Sequence, residues 1–245
     1  MNELQTRFTT EGLVIKVTNV GESDRLVTLF TREYGIIKAF ASGAKNIKSK
    51  KGAATSLLTF SSFTILHKKG TNRIYEAAPI AQFFTMGSDI EVLFLTQYFC
   101  ELALVFGIEE TPNPELLRII LNSLHFVTKK QKDLNLIKAI TELRIASICG
   151  YKPDLIACEN CAKFEDNTMF FDMKNGFLKC SDCANNEGYP LDRTLVSAIR
   201  HIVFSEFERL YSFEIPEASA KALSVFTEKY ITHQTDYKFS VLKFF

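Results

Sequence analysis

CENCAKFEDNTMFFDMKNGFLKCSDC, residues 158–183, sets four cysteines in the pattern C-x2-C-x18-C-x2-C. Cys158 with Cys161 and Cys180 with Cys183 form two thiolate pairs separated by one hairpin's length. Such pairs enclose a tetrahedral metal and leave no position for water. The intervening residues suit that geometry. Met169 to Asp172 reads as a strand, Lys174-Asn175-Gly176 as a tight turn, and Phe177 to Lys179 as the return. Zinc is the favoured occupant, in a structural role, because a closed four-thiolate site cannot activate water. Four unligated thiols are one alternative. Disulfides are another, against which a reducing compartment argues. A hairpin this small has no core of its own, so bound metal would order it. It is expected to project from a helical bundle, joined at Pro153 and Pro190.

Working outward, the flanking sequence has a helical period. A capping box at Ser88 and Glu91 opens an apolar stretch that runs to Phe106 and stops at Gly107. Asn113-Pro114 opens a second helix with Leu117, Ile120, Leu121, Leu124 and Val127 on one face. A third spans 134–149 and ends at Gly150. After the cysteines, Asp192 is placed to cap a helix bearing Leu195, Ala198, Ile199, Ile202 and Val203. A last helix begins near Pro216. Mutual packing is the plain function of these faces.

The first eighty residues read differently. Short β-type runs occupy 11–18, 25–31, 36–41, 57–67 and 73–78, with turn signals at nearly every gap. Five strands with one longer basic connection suit an OB-type barrel, which binds oligonucleotides on one face. SH3-like and other small barrels share the same signals. The expected fold is therefore α+β: a small barrel over residues 1–80, then a helical domain over 81–245 that carries the zinc-ribbon-like insertion at 151–190.

Net charge sharpens this division. The chain carries +1 overall, yet residues 1–80 hold twelve Lys or Arg against six acids, an excess of +6. Such asymmetry points to a polyanion-binding end. The connection SGAKNIKSKKG (42–52) contributes Lys45, Lys48, Lys50 and Lys51 without an acid. Lys68, Lys69 and Arg73 form a second cluster, and Arg25 and Lys38 lie on strands between them. A basic groove tracking a phosphate backbone beside aromatic faces is the chemistry of single-strand binders. Phe40, Phe60, Phe63 and Tyr75 are the available aromatics.

Other chemistry is missing. There is no G-x-x-x-x-G-K-[ST] loop, no H-E-x-x-H and no G-x-S-x-G elbow. The four histidines are scattered, and the paired cysteines lack the histidine and glutamate of zinc deaminases. Nothing in the sequence marks an enzyme or a small-molecule substrate. Hydrophobic residues make up 47% of the chain, enough for a proper core, but no run approaches the ~20 residues that span a bilayer. The amino terminus lacks a secretory signature. Cys100 and Cys149 read as buried free thiols. A cytoplasmic protein without a membrane partner is expected.

The chain also resembles the bacterial RecO family of recombination mediators. GESDRLVTLFTREYG (21–35), ASGAKNIKSKKG (41–52), ELRIASICGYKPDLIACENC (142–161) and the closing YKFSVLKFF (237–245) carry the resemblance. Ser42 and Thr59 depart from it, standing where a basic residue and a proline are common. The resemblance implies an OB-fold, a helical domain and a zinc-ribbon-like insertion. It further implies binding of single- and double-stranded DNA, annealing of complementary strands, and partnership with RecR and the single-strand-binding protein SSB to load RecA. Two readings compete with it: a protein-interaction adaptor with an idle basic loop, and an RNA-binding OB module with structural zinc.

Overall fold

Strand-forming residues over the first eighty positions pair into one sheet in the computed structural model, which describes residues 6–46, 49–84 and 89–244. The elements are β1 (Thr6–Val20), β2 (Asp24–Thr31), β3 (Gly35–Ala41), a short helix α1 (Lys50–Ala54), β4 (Thr59–Lys68) and β5 (Thr71–Gln82). Their order is β1-β2-β3-β5-β4, and pairing of β1 with β4 closes a barrel. β1 serves both neighbours because it is long. Residues 6–13 pair with β4 and residues 12–20 with β2. Val14, Val27, Leu29, Ile37, Ala39, Phe63, Ile65 and Ile74 fill the interior. Phe63 is wholly buried, so truncating it to alanine would cost about 3–5 kcal/mol.

Three local features depart from expectation. α1 begins inside the basic connection, which reads from sequence as a loop, and runs two residues past it. β4 begins at Thr59, two residues late, because Leu58 takes a φ of +60°. The β4–β5 turn, which reads from sequence as Gly70-Thr71-Asn72, is Lys69-Gly70, both with positive φ (+50° and +69°), the two-residue geometry whose twist matches a hairpin.

β5 pairs in parallel with β3 only at Ala39↔Asn72 and Phe40↔Arg73. Ahead of these residues the edge of β3 is covered by residues 108–111. The Ile36 N–H donates to the Ile108 carbonyl (3.2 Å), and the Glu110 N–H to the Ile36 carbonyl (3.1 Å). The approach is close enough to demand glycine at position 35. Its φ is +61°, and an added Cβ would lie 2.2 Å from the Thr111 carbonyl oxygen.

Helices α2 (Ile90–Phe106) and α3 (Pro114–Lys129) complete the first compact unit, residues 1–129 with 241–245. The sequence division at residue 80 places these helices with the later ones instead. Asp89 precedes α2, and the expected cap Ser88 lies outside the described residues. Asn113 caps α3 by accepting from the Leu116 N–H (3.0 Å), with Pro114 in the first turn as anticipated. A terminal 3-10 turn, Val241–Phe244, returns to α2, where the Val241 N–H donates to Glu101 (3.3 Å).

The second unit, residues 130–240, holds α4 (Leu134–Ile148), β6 (Asp154–Cys158), β7 (Thr168–Asp172), β8 (Phe177–Cys180), α5 (Ser181–Ala184), β9 (Tyr189–Asp192), α6 (Arg193–Phe204) and α7 (Glu217–Thr235). Asp133 and Asp192 cap α4 and α6 through the Leu136 and Leu195 N–H groups (3.0 and 2.8 Å). The cysteine module is more than a projecting hairpin. β6 and β9 widen it to a four-stranded sheet of order β6-β8-β7-β9. That sheet has an apolar face to cover, and Phe171 packs edge-on against Phe226 and Tyr230 of α7 at 5.1 and 5.3 Å between ring centres. The Tyr230 hydroxyl donates to the Tyr151 carbonyl (2.9 Å). Helix packing thus gives this part of the module a core without metal.

Candidate metal centre and nucleic-acid face

Cys158 ends β6 and Cys180 ends β8, so the sheet sets one cysteine of each pair. Tight turns then bring Cys161 and Cys183 alongside. All four sulfurs lie within 4.8 Å of one another, and those of Cys161 and Cys180 are 3.6 Å apart. A tetrahedron of thiolates at ~2.3 Å from a metal has edges of about 3.8 Å, so the donor set fits such an ion. Cys158 and Cys180 are buried, while Cys161 is exposed. Burial opposes the Cys158 thiolate, but N–H groups of Cys180, Cys161 and Asn160 together outweigh it and hold the thiol at about 6. Cys183 is pushed up to about 12, first by hydrogen bonding with Cys180 and Cys161. Four anions cannot share this space unless a cation neutralises them. Cys100 is buried as the sequence suggests, whereas Cys149 is only half-buried; desolvation pushes their thiols up to about 12 and about 11, away from reactive thiolates.

Supporting contacts brace the two turns. Lys163 pairs with Asp166 (3.0 Å) and Asp182 (3.3 Å), and Asp166 accepts from the Ser181 hydroxyl and N–H (2.7 and 3.0 Å). Those donors, the Ser181 hydroxyl first, hold the Asp166 carboxyl well below the usual carboxylate range. Arg200 of α6 donates to the carbonyls of Leu155 (2.7 Å), Ile156 (3.0 Å) and Phe164 (2.7 Å) and stacks on the Phe164 ring. No sequence motif singles it out, yet this fork ties the first turn to the helix.

Of the nine basic candidates on the barrel, the seven whose side chains are described have three different fates. Arg25, Lys45 and Lys51 are drawn into the fold. Arg25 donates to the Gly52 carbonyl (2.9 Å) and Thr55 hydroxyl (3.3 Å), Lys45 to the Gly21 carbonyl (3.2 Å), and Lys51 to the Ile74 carbonyl (3.0 Å). These bonds stitch the basic connection and α1 to the barrel. Carbonyls are neutral, so each cation keeps its charge. Lys38 pairs with the Glu109 carboxylate. Lys68, Lys69 and Arg73 are exposed and have no partner among the described residues. Lys48 and the side chain of Lys50 lie outside the described residues.

Register shows which of these cations share a face. Ile37, Ala39 and Ala41 point inward, so Lys38 and Phe40 point out. Lys16, Thr28 and Lys38 form one cross-strand rung over β1, β2 and β3. Thr18, Leu26, Phe40 and Arg73 form the next, reaching β5. One outer face therefore carries Lys16, Lys38 and Arg73 around the half-buried Phe40, with β2 between Lys16 and Lys38 and with β3 and β5 side by side. Of the other aromatics, Phe60 and Phe63 belong to the core, and exposed Tyr75 lies under the Arg7 guanidinium (4.6 Å). Lys16 is the functional candidate that sequence reading missed.

Two family models together match nearly the whole chain. Residues 1–83 match the family model described as Recombination protein O N terminal, and residues 87–241 match Recombination protein O C terminal. A relative named DNA repair protein RecO from Acetivibrio thermocellus is 31% identical, the match covering 100% of this chain and 96% of that protein. Proteins of the same name from Caldicellulosiruptor bescii and Dehalococcoides mccartyi (strain ATCC BAA-2266) are each 28% identical. They cover 96% and 85% of this chain, and 96% and 83% of their own lengths.

Proposed function

The chain belongs to the recombination protein O family, and from that premise we propose that it is a non-catalytic, DNA-binding mediator of recombinational repair. The barrel is read as an OB-fold. Strand order β1-β2-β3-β5-β4 with a helix between β3 and β4 supports this reading, and OB-folds bind oligonucleotides on the outer face of their second and third strands. The observation that carries the proposal is the alignment of Lys16, Lys38 and Arg73 on adjacent rungs of that face. These cations, with Lys68 and Lys69 at the β4–β5 turn, neutralise phosphates and release counterions. Such contacts position a strand without reading its sequence. Annealing then requires only that two strands be held together with their mutual repulsion reduced.

In this reading the protein binds single- and double-stranded DNA and acts in the cytoplasm, at the nucleoid. It works with RecR on strands coated by SSB and helps RecA to load. The four cysteines hold zinc, whose chemistry when bound is to neutralise the thiolates and fix both turns. Among the described residues no helix is long and apolar enough to cross a membrane.

Fluorescence anisotropy of a labelled oligothymidylate, titrated at several salt concentrations, tests the proposal. Affinity should fall with a log–log slope of about −0.7 per phosphate contacted. Absence of binding at low salt would remove DNA from the account.

A further inference from the structure

An acid sits where strand binding needs a phosphate. Lys16, Thr18, Thr28 and Lys38 line a groove on the outer face of the barrel, walled on the far side by Leu104 and Glu109, with a volume of about 230 Å³. The Glu109 carboxylate pairs with the Lys38 ammonium, and the two side chains are 67% and 58% exposed. Lys16, on the same rung as Lys38, is exposed and has no partner among the described residues. The backbone beneath Glu109 is fixed by the bonds that Ile36 makes to Ile108 and Glu110. Its side chain is not similarly confined, so the carboxylate can swing away with no loss of main-chain pairing.

Resting on the nucleic-acid reading of this same face, we infer that Lys38 is a phosphate subsite which Glu109 fills in the free protein. A backbone phosphodiester displaces the carboxylate when a strand binds. Both anions carry one negative charge, so the exchange preserves the charge at Lys38. An exposed ion pair of this kind shifts an equilibrium only ~2- to 5-fold, so it is weak enough to exchange. The phosphate has a second advantage, because its transfer to a cation releases about 0.7 of a condensed counterion per contact. Apolar Leu26 and Leu104 and the half-buried Phe40 ring flank the cations and offer a surface for the attached nucleoside. Glu109 is then a competitor that keeps Lys38 from binding anions weakly and indiscriminately. It lowers affinity for any strand that cannot also engage Lys16 and Arg73.

A double-mutant cycle tests this, with anisotropy of fluorescein-labelled oligothymidylate at low salt as the readout. Glu109→Gln keeps shape and polarity and should tighten binding roughly 3- to 5-fold, the scale of an exposed pair. In combination with Lys38→Ala the gain should vanish, since the competitor then has nothing to compete for. Melting temperatures of all variants should match that of the unaltered protein, because both side chains are exposed. Unchanged or weaker binding by Glu109→Gln overturns the inference. So does an equal gain with and without Lys38, which would show general repulsion only. If the unaltered protein binds, and Lys16→Ala and Arg73→Ala weaken it, an additive cycle sinks this inference alone. If the natively folded protein and every variant fail to bind, the nucleic-acid reading falls with it.

Discussion

Lys138 and Glu142 lie one helical turn apart on α4, both wholly shielded from solvent, with Nζ and Oε1 3.0 Å apart. Lys138 also reaches Glu228 of α7 (2.8 Å) and the Ser224 hydroxyl (3.3 Å), and Glu142 accepts from the Thr227 hydroxyl (2.6 Å). A buried pair is not in itself strongly stabilising, because desolvation offsets attraction. Breaking it is another matter. Lys138→Met should destabilise the second unit by about 3–5 kcal/mol, since the buried Glu142 carboxyl would lose its cation. Lys138→Met with Glu142→Leu should recover most of that loss. Urea denaturation of the three proteins checks the prediction, and equal losses in the single and double variants would contradict it.

Gly35→Ala should also be poorly tolerated. The left-handed backbone alone costs an L-residue roughly 1–2 kcal/mol, and the new methyl would meet the Thr111 carbonyl at 2.2 Å. Residues 108–111 would have to leave the edge of β3. The expected signature is lost amide protection at Ile36 and Glu110, the two N–H groups that pair there. Retained protection would mean that the segment shifts instead.

Cations that look alike in sequence divide by what they touch. Arg25→Ala removes the guanidinium nitrogen that donates to both Gly52 and Thr55, so it should lower stability by about 1.5–3 kcal/mol, the range for hydrogen bonds to charged groups. Lys68→Ala, Lys69→Ala and Arg73→Ala together touch only solvent. They should leave the melting curve unchanged and flatten the salt slope of single-strand binding by about 2. A triple variant that melts early but binds normally would reverse these roles.

Much of this arrangement is legible from sequence because its causes are local. Cysteine spacing is dictated by metal geometry, so Cys158, Cys161, Cys180 and Cys183 announce their cluster. Alternation in GIIKAFA likewise puts Lys38 and Phe40 outside and Ile37 and Ala39 inside. Lys16 escapes the same logic. Val14 is in the core, and strict alternation would bury Lys16 beside it. A slip in register between the two turns Lys16 outward, and nothing in EGLVIKVT marks that bulge. α1 is hidden for a different reason, since five residues are too few to show a helical period. Arg25, Arg200 and Glu109 find their partners through tertiary contacts 27 to 71 residues distant, which no local pattern encodes.

Metal should matter unevenly within the cysteine module, because two kinds of force hold its parts. Phe171 packs on α7 whether or not an ion is bound, whereas the turns after Cys158 and Cys180, although braced by Arg200 and Asp166, also crowd four thiols that an ion would neutralise. Chelation should therefore expose residues 158–163 and 180–186 to hydrogen exchange while β7 stays protected. Rebinding should depend steeply on pH. Near neutrality Cys158, at about 6, is largely thiolate, but Cys183, at about 12, keeps its proton. A metal must expel the remaining protons, so its apparent affinity rises with pH, by more than ~10-fold per unit if more than one is released. Competition with a chromophoric zinc chelator between neutral and mildly acidic pH measures this slope. A flat profile would mean that the sulfurs do not bind zinc as a four-thiolate set. Unaltered exchange at 158–163 after complete metal removal would show that packing alone shapes the turns.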